Sequence, residues 1–466
     1  SNYASQFEVD AIRAMNFSNS FNIKQSNDQE DIGKKAYVKG VLLEIQNKYG
    51  ISPAINEKII VKTNYDAAIQ DSIYAAYNAT DSPSNDAFAI VESKTGKVKG
   101  LYAGNNFNDV TDFSFAVQGE RSPGSTTKPL IPYATYIDKN KSGTQSLVDD
   151  KPIFYEGTNI PIKNYDGQTS ATGKTTIRNA LETSRNTSAV ATYRTTRDQG
   201  HQAQMENIFN KTGFKFNGND AVFEGTPLGA QNKISPLNLA AAYATFVNGG
   251  VYNEPTFITE VINSKEEKLE RQEKLISEQL FSAETAYLLA DIGRTTVTRG
   301  TVASQTRALA NLPYWNGGKT GTAGIDQPGV AATAASDIWF AGYNADYSYA
   351  IWNGYDFTNA QTGEYVTDQD RYPQYKIVSQ ILSGLNVNGK LTKPAGIAGT
   401  EGGSLYFKDN PNQQQEPNTP ETSVPEKNDK DTPTKPEEPV KPEEEKPAKP
   451  EEETPVNPTP ESPTDN

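Results

Sequence analysis

The chain of 466 residues contains no cysteine, which removes disulfides, thiol nucleophiles and cysteine-held metal sites at the outset. It contains one histidine, His201, inside the polar run "RDQGHQAQMEN". That setting predicts an exposed helix or loop position, so Ser-His-Asp chemistry and clustered histidine metal sites leave the list. No apolar run reaches the roughly 18 residues of a membrane span, and no secretory leader is recognisable. Positive charge is in short supply: 44 Lys and Arg face 58 Asp and Glu, a formal net charge of −14. Without a basic excess or a long basic run to neutralise phosphates, a nucleic-acid partner is not expected. Freedom from cysteine suits an exported protein and equally suits many cytosolic ones. The opening "SNYASQF" lacks a methionine, which reads as a fragment whose upstream portion, an anchor included, is missing.

What is present is unevenly distributed. Residues 411–466 hold 14 of the 28 prolines, with 15 acidic and 6 basic side chains, a net of −9. Residues 1–410 therefore carry only about −5 of the total −14, and the acidity is mostly a property of the tail. That tail lacks the apolar residues needed to offset ordering entropy, so residues 409–466 are expected to be a disordered spacer or tether rich in Pro, Glu and Lys. The length of the remainder allows two or three domains. In "AYVKGVLLEIQNKYG" apolar residues recur at helical spacing up to a candidate C-cap, Gly50, and "TNYDAAIQDSIYAAYNAT" reads as a second amphipathic helix. "EKIIVKTNYD" is strand-like, and "DAFAIVESKTGKVKGLYAG" predicts a hairpin. Helical segments dominate from about 125 to 295. "SDIWFAGYNADYSYAIWNGYDF" then returns to paired strands around a polar turn at Asn344–Asp346. Strands early and late with helices between them predict an α+β domain whose sheet is completed by both ends.

One tripeptide, Lys-Thr-Gly, occurs three times. At Lys94–Thr95–Gly96 it lies at the predicted hairpin apex, where glycine supplies a positive φ. At Lys211–Thr212–Gly213 it follows an apparent helix and reads as a C-cap. The third copy, Lys319–Thr320–Gly321 in "GGKTGTAG", precedes a hairpin, and its small neighbours would let a ligand approach a strand backbone closely. A phosphate-binding loop fails here, because the required first glycine is Pro313 for this copy and Gln168 for the "GKT" at 173–175. Of all the serines, only Ser125, in "SPGSTTKPL", has a lysine three residues on. Three residues on a helix share a face, so Lys128 is expected beside the Ser125 hydroxyl near a helix start, where backbone amides favour developing negative charge. Alone, such a pair equally describes a capping serine and a surface lysine. Fifty-nine residues later "TSRNTSAV" supplies Ser184 and Asn186 as S-x-N, a weak pattern that Ser20–Phe21–Asn22 also matches. The order S-x-x-K, S-x-N, K-T-G is the set shared by class A β-lactamases and penicillin-binding proteins.

At these residues the chain resembles the transpeptidase domain of a class A penicillin-binding protein of Gram-positive type. "RSPGSTTKPLIPYATYID" resembles the family's nucleophile helix, "TPLGAQNKISPLNLAAAYATFVNGGVYNEPTFI" its segment between the second and third motifs, and "DIWFAGYNADYSYAIWNGYD" the strands after K-T-G. The resemblance implies an α+β fold, an antiparallel sheet flanked by helices with a mostly helical subdomain. It implies a transpeptidase domain over 61–400. Residues 1–60 would be a linker left by a missing glycosyltransferase. It further implies that Ser125 attacks a penultimate D-alanine carbonyl, that Lys128 takes its proton and that Ser184 relays a proton to the leaving nitrogen. Asn186 would hold the substrate amide and Lys128, and Lys319 would supply positive potential. Thr320, Gly321 and Thr322 would bind the substrate carboxylate, with the backbone N–H groups of Ser125 and Thr322 as the oxyanion hole. No cofactor or metal is implied. The partners would be peptidoglycan stem peptides ending in D-Ala-D-Ala, with β-lactams as inhibitors. The parent protein would be anchored at the outer face of the plasma membrane, with the cell-wall synthesis machinery. A D,D-carboxypeptidase, a serine β-lactamase and a non-catalytic wall scaffold are the alternatives. The lactamase needs a further carboxylate base, for which Glu224 is the nearest candidate. The second motif carries Arg185 where β-lactamases have aspartate, and the sequence assigns it no task.

Overall fold

The computed structural model describes residues 29–51, 58–82, 84–216, 222–325, 330, 333–356, 358 and 363–410, all within the first of the chain's two units, Ser1–Glu416. The Ser20–Phe21–Asn22 match and residues 411–466 of the expected disordered tail lie outside these residues; at 409–410 that expectation is corrected, since Asn410 Nδ2 donates to the carbonyls of Asn140 and Lys141 at 3.3 Å.

Helix α1, Gln29–Glu44, runs into one π-type turn, Ile45–Tyr49, and stops at Gly50, whose φ of 66° is left-handed. Tyr37 donates its hydroxyl to the carbonyl of Val98 at 2.7 Å, and Glu44 accepts from the amide of Phe257 at 2.6 Å. Helix α2, Ala67–Asn78, is capped by Asp66, which accepts from the amide of Ile69 at 3.2 Å. Strands β1, Asn85–Glu92, and β2, Val98–Tyr102, form the expected hairpin, with Gly96 at φ 71° in its turn. The other three strands of the central sheet come late in the chain: β3, Asn316–Gly324; β4, Ala335–Asn344; and β5, Tyr347–Gly354. The order is β3-β4-β5-β1-β2, antiparallel throughout, so both ends of the domain do build one sheet. In the β4–β5 turn the Asn344 carboxamide oxygen accepts from the amides of Asp346 and Tyr347, at 3.0 and 2.8 Å.

Both faces of the sheet are covered. Ala87, Ala89, Trp339, Ala341, Ala350 and Trp352 point to one core, while Phe88, Ile90, Phe340, Tyr349 and Ile351 point to the other. This is the period-2 alternation of strands with apolar residues at every position, hence the near-continuous burial. The first face packs on helix α4, Pro236–Ala244, and helix α5, Ala283–Thr298. Helix α4 is apolar almost all round, as a wholly buried helix must be. The second face packs on α2 and on helix α6, Arg371–Ser383. The long middle of the chain also holds helix α3, Asn186–Asp198. It is less uniformly helical than expected: small two-stranded sheets interrupt it at 147–149 with 174–176, at 153–154 with 161–162 and at 215–216 with 232–233. Among the described residues no helix is long and apolar enough to cross a membrane.

Candidate active site

The segment carrying Ser125 is a single 3-10 turn, Gly124–Thr127, followed by a π-type turn, Pro129–Ala134. The continuous helix expected here is broken because Pro129 and Pro132 remove amide donors and Gly124 has φ 53°. Glycine at 124 is required by a close approach: a Cβ there would lie 2.3 Å from the carbonyl oxygen of Thr322. A Cβ on Gly321 would likewise lie 2.4 Å from the carbonyl oxygen of Pro123. The two missing side chains let the Ser125 turn sit directly on β3, beside Thr322. Two further ties fix the turn. Tyr243 of α4 donates to the carbonyl of Thr126 at 2.7 Å, and the Trp339 indole of β4 donates to that of Ser122, also at 2.7 Å.

Ser184 occupies the bend between the helix Ile177–Glu182 and α3, and its φ of 59° is left-handed, a strained setting for serine. Lys128 is fully buried and donates from Nζ to the Ser184 carbonyl at 2.7 Å and to Asn186 Oδ1 at 2.6 Å, with Ser184 Oγ in hydrogen-bond contact at 3.2 Å. Lys319, on β3 and also buried, donates from Nζ to Ser184 Oγ at 2.8 Å and to the Thr320 carbonyl at 3.1 Å. The Ser184 hydroxyl therefore stands between two lysine nitrogens. Burial holds the Lys128 amine well below its ordinary value, and positive Lys319 adds to the effect. Burial, then the Arg371 guanidinium, brings Lys319 down to about 7.

Ser184 opens onto a cleft of about 460 Å³ lined also by Ser125, Asn186, Thr320, Thr322 and Arg371, among others. Ser125 is half-buried there, and its hydroxyl makes no hydrogen bond among the described residues. The three sequence motifs thus meet around one cavity. The amine expected beside Ser125 has its present hydrogen bonds with the second motif. The other two Lys-Thr-Gly copies are elsewhere: one forms the β1–β2 turn, and Lys211 pairs with Glu278 at 2.8 Å at the end of a surface helix. His201 is half-buried at the start of that helix, outside the cleft.

Two cleft features escape the motifs. Arg371, the buried first residue of α6, donates to the Gly321 carbonyl at 2.8 Å and to Thr322 Oγ1. Accepting from arginine leaves the Thr322 hydroxyl proton to point at a ligand. Nothing in "DQDRYPQY" signals this, because the contact spans 49 residues of sequence. Thr301, on the loop after α5, shares a 3.2 Å hydrogen bond with Thr320 Oγ1. Arg185 now has a place: it donates to Asp150 at 3.0 Å, to Asp166 at 2.6 Å and to the carbonyl of Gln168 at 3.0 Å. It turns away from Ser125 and braces the loop in front of the second motif. Among the described residues no acidic side chain lines the cleft, and no group of His, Cys, Asp or Glu is arranged to hold a metal ion.

Residues 87–369, more than half of the chain, match the family described as "Penicillin binding protein transpeptidase domain". The chain belongs to this family. Among curated relatives it is 28% identical over 401 residues to penicillin-binding protein 1A/1B of Bacillus subtilis (strain 168), covering 83% of this chain and 41% of that one. It is 29% identical over 338 residues to penicillin-binding protein 1A of Streptococcus pneumoniae (strain ATCC BAA-255 / R6), covering 68% and 45%. The chain thus spans under half the length of these family members. The fold is shared with the penicillin-binding protein PonA1 from Mycobacterium tuberculosis, with a TM-score of 0.62, 22% identity, and 80% and 97% of the two chains covered. A second PonA1 structure, in complex with penicillin V, aligns with a TM-score of 0.58, 21% identity, and 78% and 99% covered. The α+β architecture expected from the sequence is that of this family.

Proposed function

We propose that the protein is a serine D,D-transpeptidase that cross-links peptidoglycan stem peptides through an acyl-enzyme on Ser125. Terminal D-alanine is released, and β-lactams acylate the same serine. The observation that carries this reading is that Lys128 hydrogen-bonds Ser184 and Asn186 and Lys319 hydrogen-bonds Ser184, behind the cleft that Ser125, Ser184 and Asn186 line. In this reading neutral Lys128 takes the Ser125 proton as Oγ attacks the carbonyl of the penultimate D-alanine. The backbone N–H groups of Ser125 and Thr322 hold the oxyanion, since Gly124 and Gly321 let the two segments touch. The proton passes from Lys128 through the Ser184 hydroxyl to the leaving nitrogen, and Lys319 polarises that hydroxyl from its other side. Asn186 fixes Lys128 and the substrate amide. The terminal carboxylate of D-alanine, or that of a penicillin, meets Thr320, Thr322 and the positive charge of Lys319 and Arg371. An amine of a second stem peptide then attacks the acyl-enzyme. Membrane anchoring and association with the wall-synthesis machinery, like a domain division at 61–400 with a linker before it, belong to the same proposal.

A β-lactamase needs a carboxylate to activate the deacylating water. Glu224 is occupied elsewhere, accepting from Arg194 Nε at 2.8 Å and from the amide of Glu156 at 2.8 Å, and it is not part of the cleft lining. That favours a long-lived acyl-enzyme. The deciding experiment is intact mass after incubation with benzylpenicillin, run beside Ser125→Ala. One stable adduct that maps to Ser125 and disappears in the variant is expected. Fast penicillin turnover without a lasting adduct would instead establish a lactamase, and no reaction at all a scaffold.

A further inference from the structure

We infer that Lys163, on the loop braced by Arg185, forms a second anion subsite of the cleft, one that receives a carboxylate on the upstream part of the donor peptide. The inference rests on the transpeptidase reading and specifies its substrate. It begins with charge. The chain as a whole is strongly acidic, at −14, yet the described cleft lining contains Lys163 and Arg371 and no Asp or Glu. Positive charge on the β3 side is accounted for by the terminal carboxylate. Lys163 stands on the other side, next to Asn186, and needs a separate explanation.

The loop that presents it is rigidly tied. The Lys163 carbonyl accepts from Asn186 Nδ2 at 2.7 Å, and Asn164 Oδ1 accepts from the amide of Asn186 at 2.6 Å and that of Thr187 at 3.2 Å. Asn164 Nδ2 donates in turn to Thr187 Oγ1 at 2.9 Å and to the carbonyl of Gln168 at 2.7 Å. The two acids of this region, Asp150 and Asp166, both pair with Arg185, and neither forms an ion pair with Lys163 among the described residues. Lys163 itself is exposed and makes no ion pair among the described residues. Beside it Tyr165 lines the cleft with 80% of its surface exposed, an aromatic wall against which a peptide backbone can lie. An exposed cation on a tied loop, without an ion pair among the described residues, next to an aromatic face and at a cleft whose described lining has no Asp or Glu, favours a negative group on an extended ligand. In this arrangement Arg185 is a positioning residue. It pairs with both carboxylates and with the Gln168 carbonyl, which ties the loop in front of the second motif.

The test uses two synthetic peptides ending in D-Ala-D-Ala that differ in one group, a free carboxylate or a carboxamide on the residue two places before the first D-Ala. Benzylpenicillin is the reporter. Its adduct on Ser125 is established first in each protein, and the readout is the peptide concentration that halves the penicillin acylation rate. In the wild type the carboxylate peptide is expected to compete about fivefold better, the size of a partly exposed ion pair, with the advantage shrinking between 50 and 500 mM salt. Lys163→Gln should bring the ratio of the two peptides close to one, and Lys163→Glu should reverse it. Equal competition by the two peptides in the wild type, or a preference that survives both variants, overturns the inference while leaving the Ser125 chemistry standing. Failure of the wild type to form any penicillin adduct overturns the transpeptidase reading itself, and this subsite with it.

Discussion

Ser184 has one hydroxyl proton, and its oxygen lies 3.2 Å from Lys128 Nζ and 2.8 Å from Lys319 Nζ. The oxygen therefore donates to at most one amine and accepts from the other. The proposed relay fixes which: neutral Lys128 on one side, ammonium Lys319 on the other. Two protonated lysines this close would repel each other and would leave no lone pair to receive a proton. Burial and the positive neighbour pull Lys128 down, so its neutral form is reached well below the usual lysine range. Lys319 is pulled down as well, to about 7, and must stay charged to act. The second-order rate of penicillin acylation should accordingly rise with pH as Lys128 loses its proton, then fall above about pH 7 as Lys319 loses its own. Lys319→Arg separates the two limbs, because a guanidinium stays protonated throughout. The variant should acylate roughly 10- to 100-fold more slowly, the loss of a hydrogen bond to a charged group, and its descending limb should vanish below pH 9. A descending limb that stays near pH 7 in the arginine variant would assign that titration to another group. A rate profile from pH 5 to 10 for both proteins decides it.

The elements around the site hold it by ties that are long in sequence. Arg121, four residues before Ser125, donates from Nε to Asp337 of β4 at 2.6 Å, with both side chains buried, and the Trp352 indole of β5 donates to the same carboxylate oxygen at 2.8 Å. The guanidinium also lies over the Trp352 ring at 4.9 Å. Removing the carboxylate breaks this buried pair and takes the acceptor from both Arg121 Nε and the Trp352 indole, so Asp337→Ala should cost about 3–5 kcal/mol of stability. Urea unfolding measures this directly, and a loss under 1 kcal/mol would show that water reaches Arg121 and screens it. Because the pair anchors the strand end to the Ser122 loop, penicillin acylation should slow as well. This tie also marks how far the sequence can be read. The strands announced themselves through β-rich runs around polar turns such as that at Asn344, the α1 stop through Gly50, and the candidate site through three short motifs. Each of these is a local pattern, written within a few residues. What stayed hidden depends on distant partners: Arg371 reaching Thr322, Arg121 reaching Asp337, Arg185 holding Asp150 and Asp166. The Ser125 segment is not the continuous helix that its Ser–Lys interval predicts, because that spacing suits a 3-10 turn equally well and Pro129 and Pro132 remove amide donors.

At the scale of the whole molecule the acidic charge and the cleft are carried by different stretches of sequence. Every described residue that lines the cleft falls between Ser125 and Arg371, whereas residues 411–466 carry a net −9 of the −14. Penicillin is an anion, so charge on the same molecule affects its approach even where it makes no contact with the site. Near physiological salt the Debye length is about 8 Å, and most of that repulsion is screened; at 10 mM it is about 30 Å, and the repulsion persists. Removing residues 411–466 should therefore leave the penicillin acylation rate within about twofold at 150 mM salt and raise it several-fold at 10 mM. The two chains, residues 1–466 and 1–410, can be compared by stopped-flow or quenched mass spectrometry at both salt concentrations. A large fall in acylation at 150 mM would mean that the acidic segment contributes to the working site, contrary to the separation proposed here. An unchanged rate at both salt concentrations would mean that its charge does not reach the cleft mouth at all. With the expected result, the acidity of residues 411–466 acts on the cleft only through screened repulsion, while the cationic cleft lining alone selects the anionic ligand.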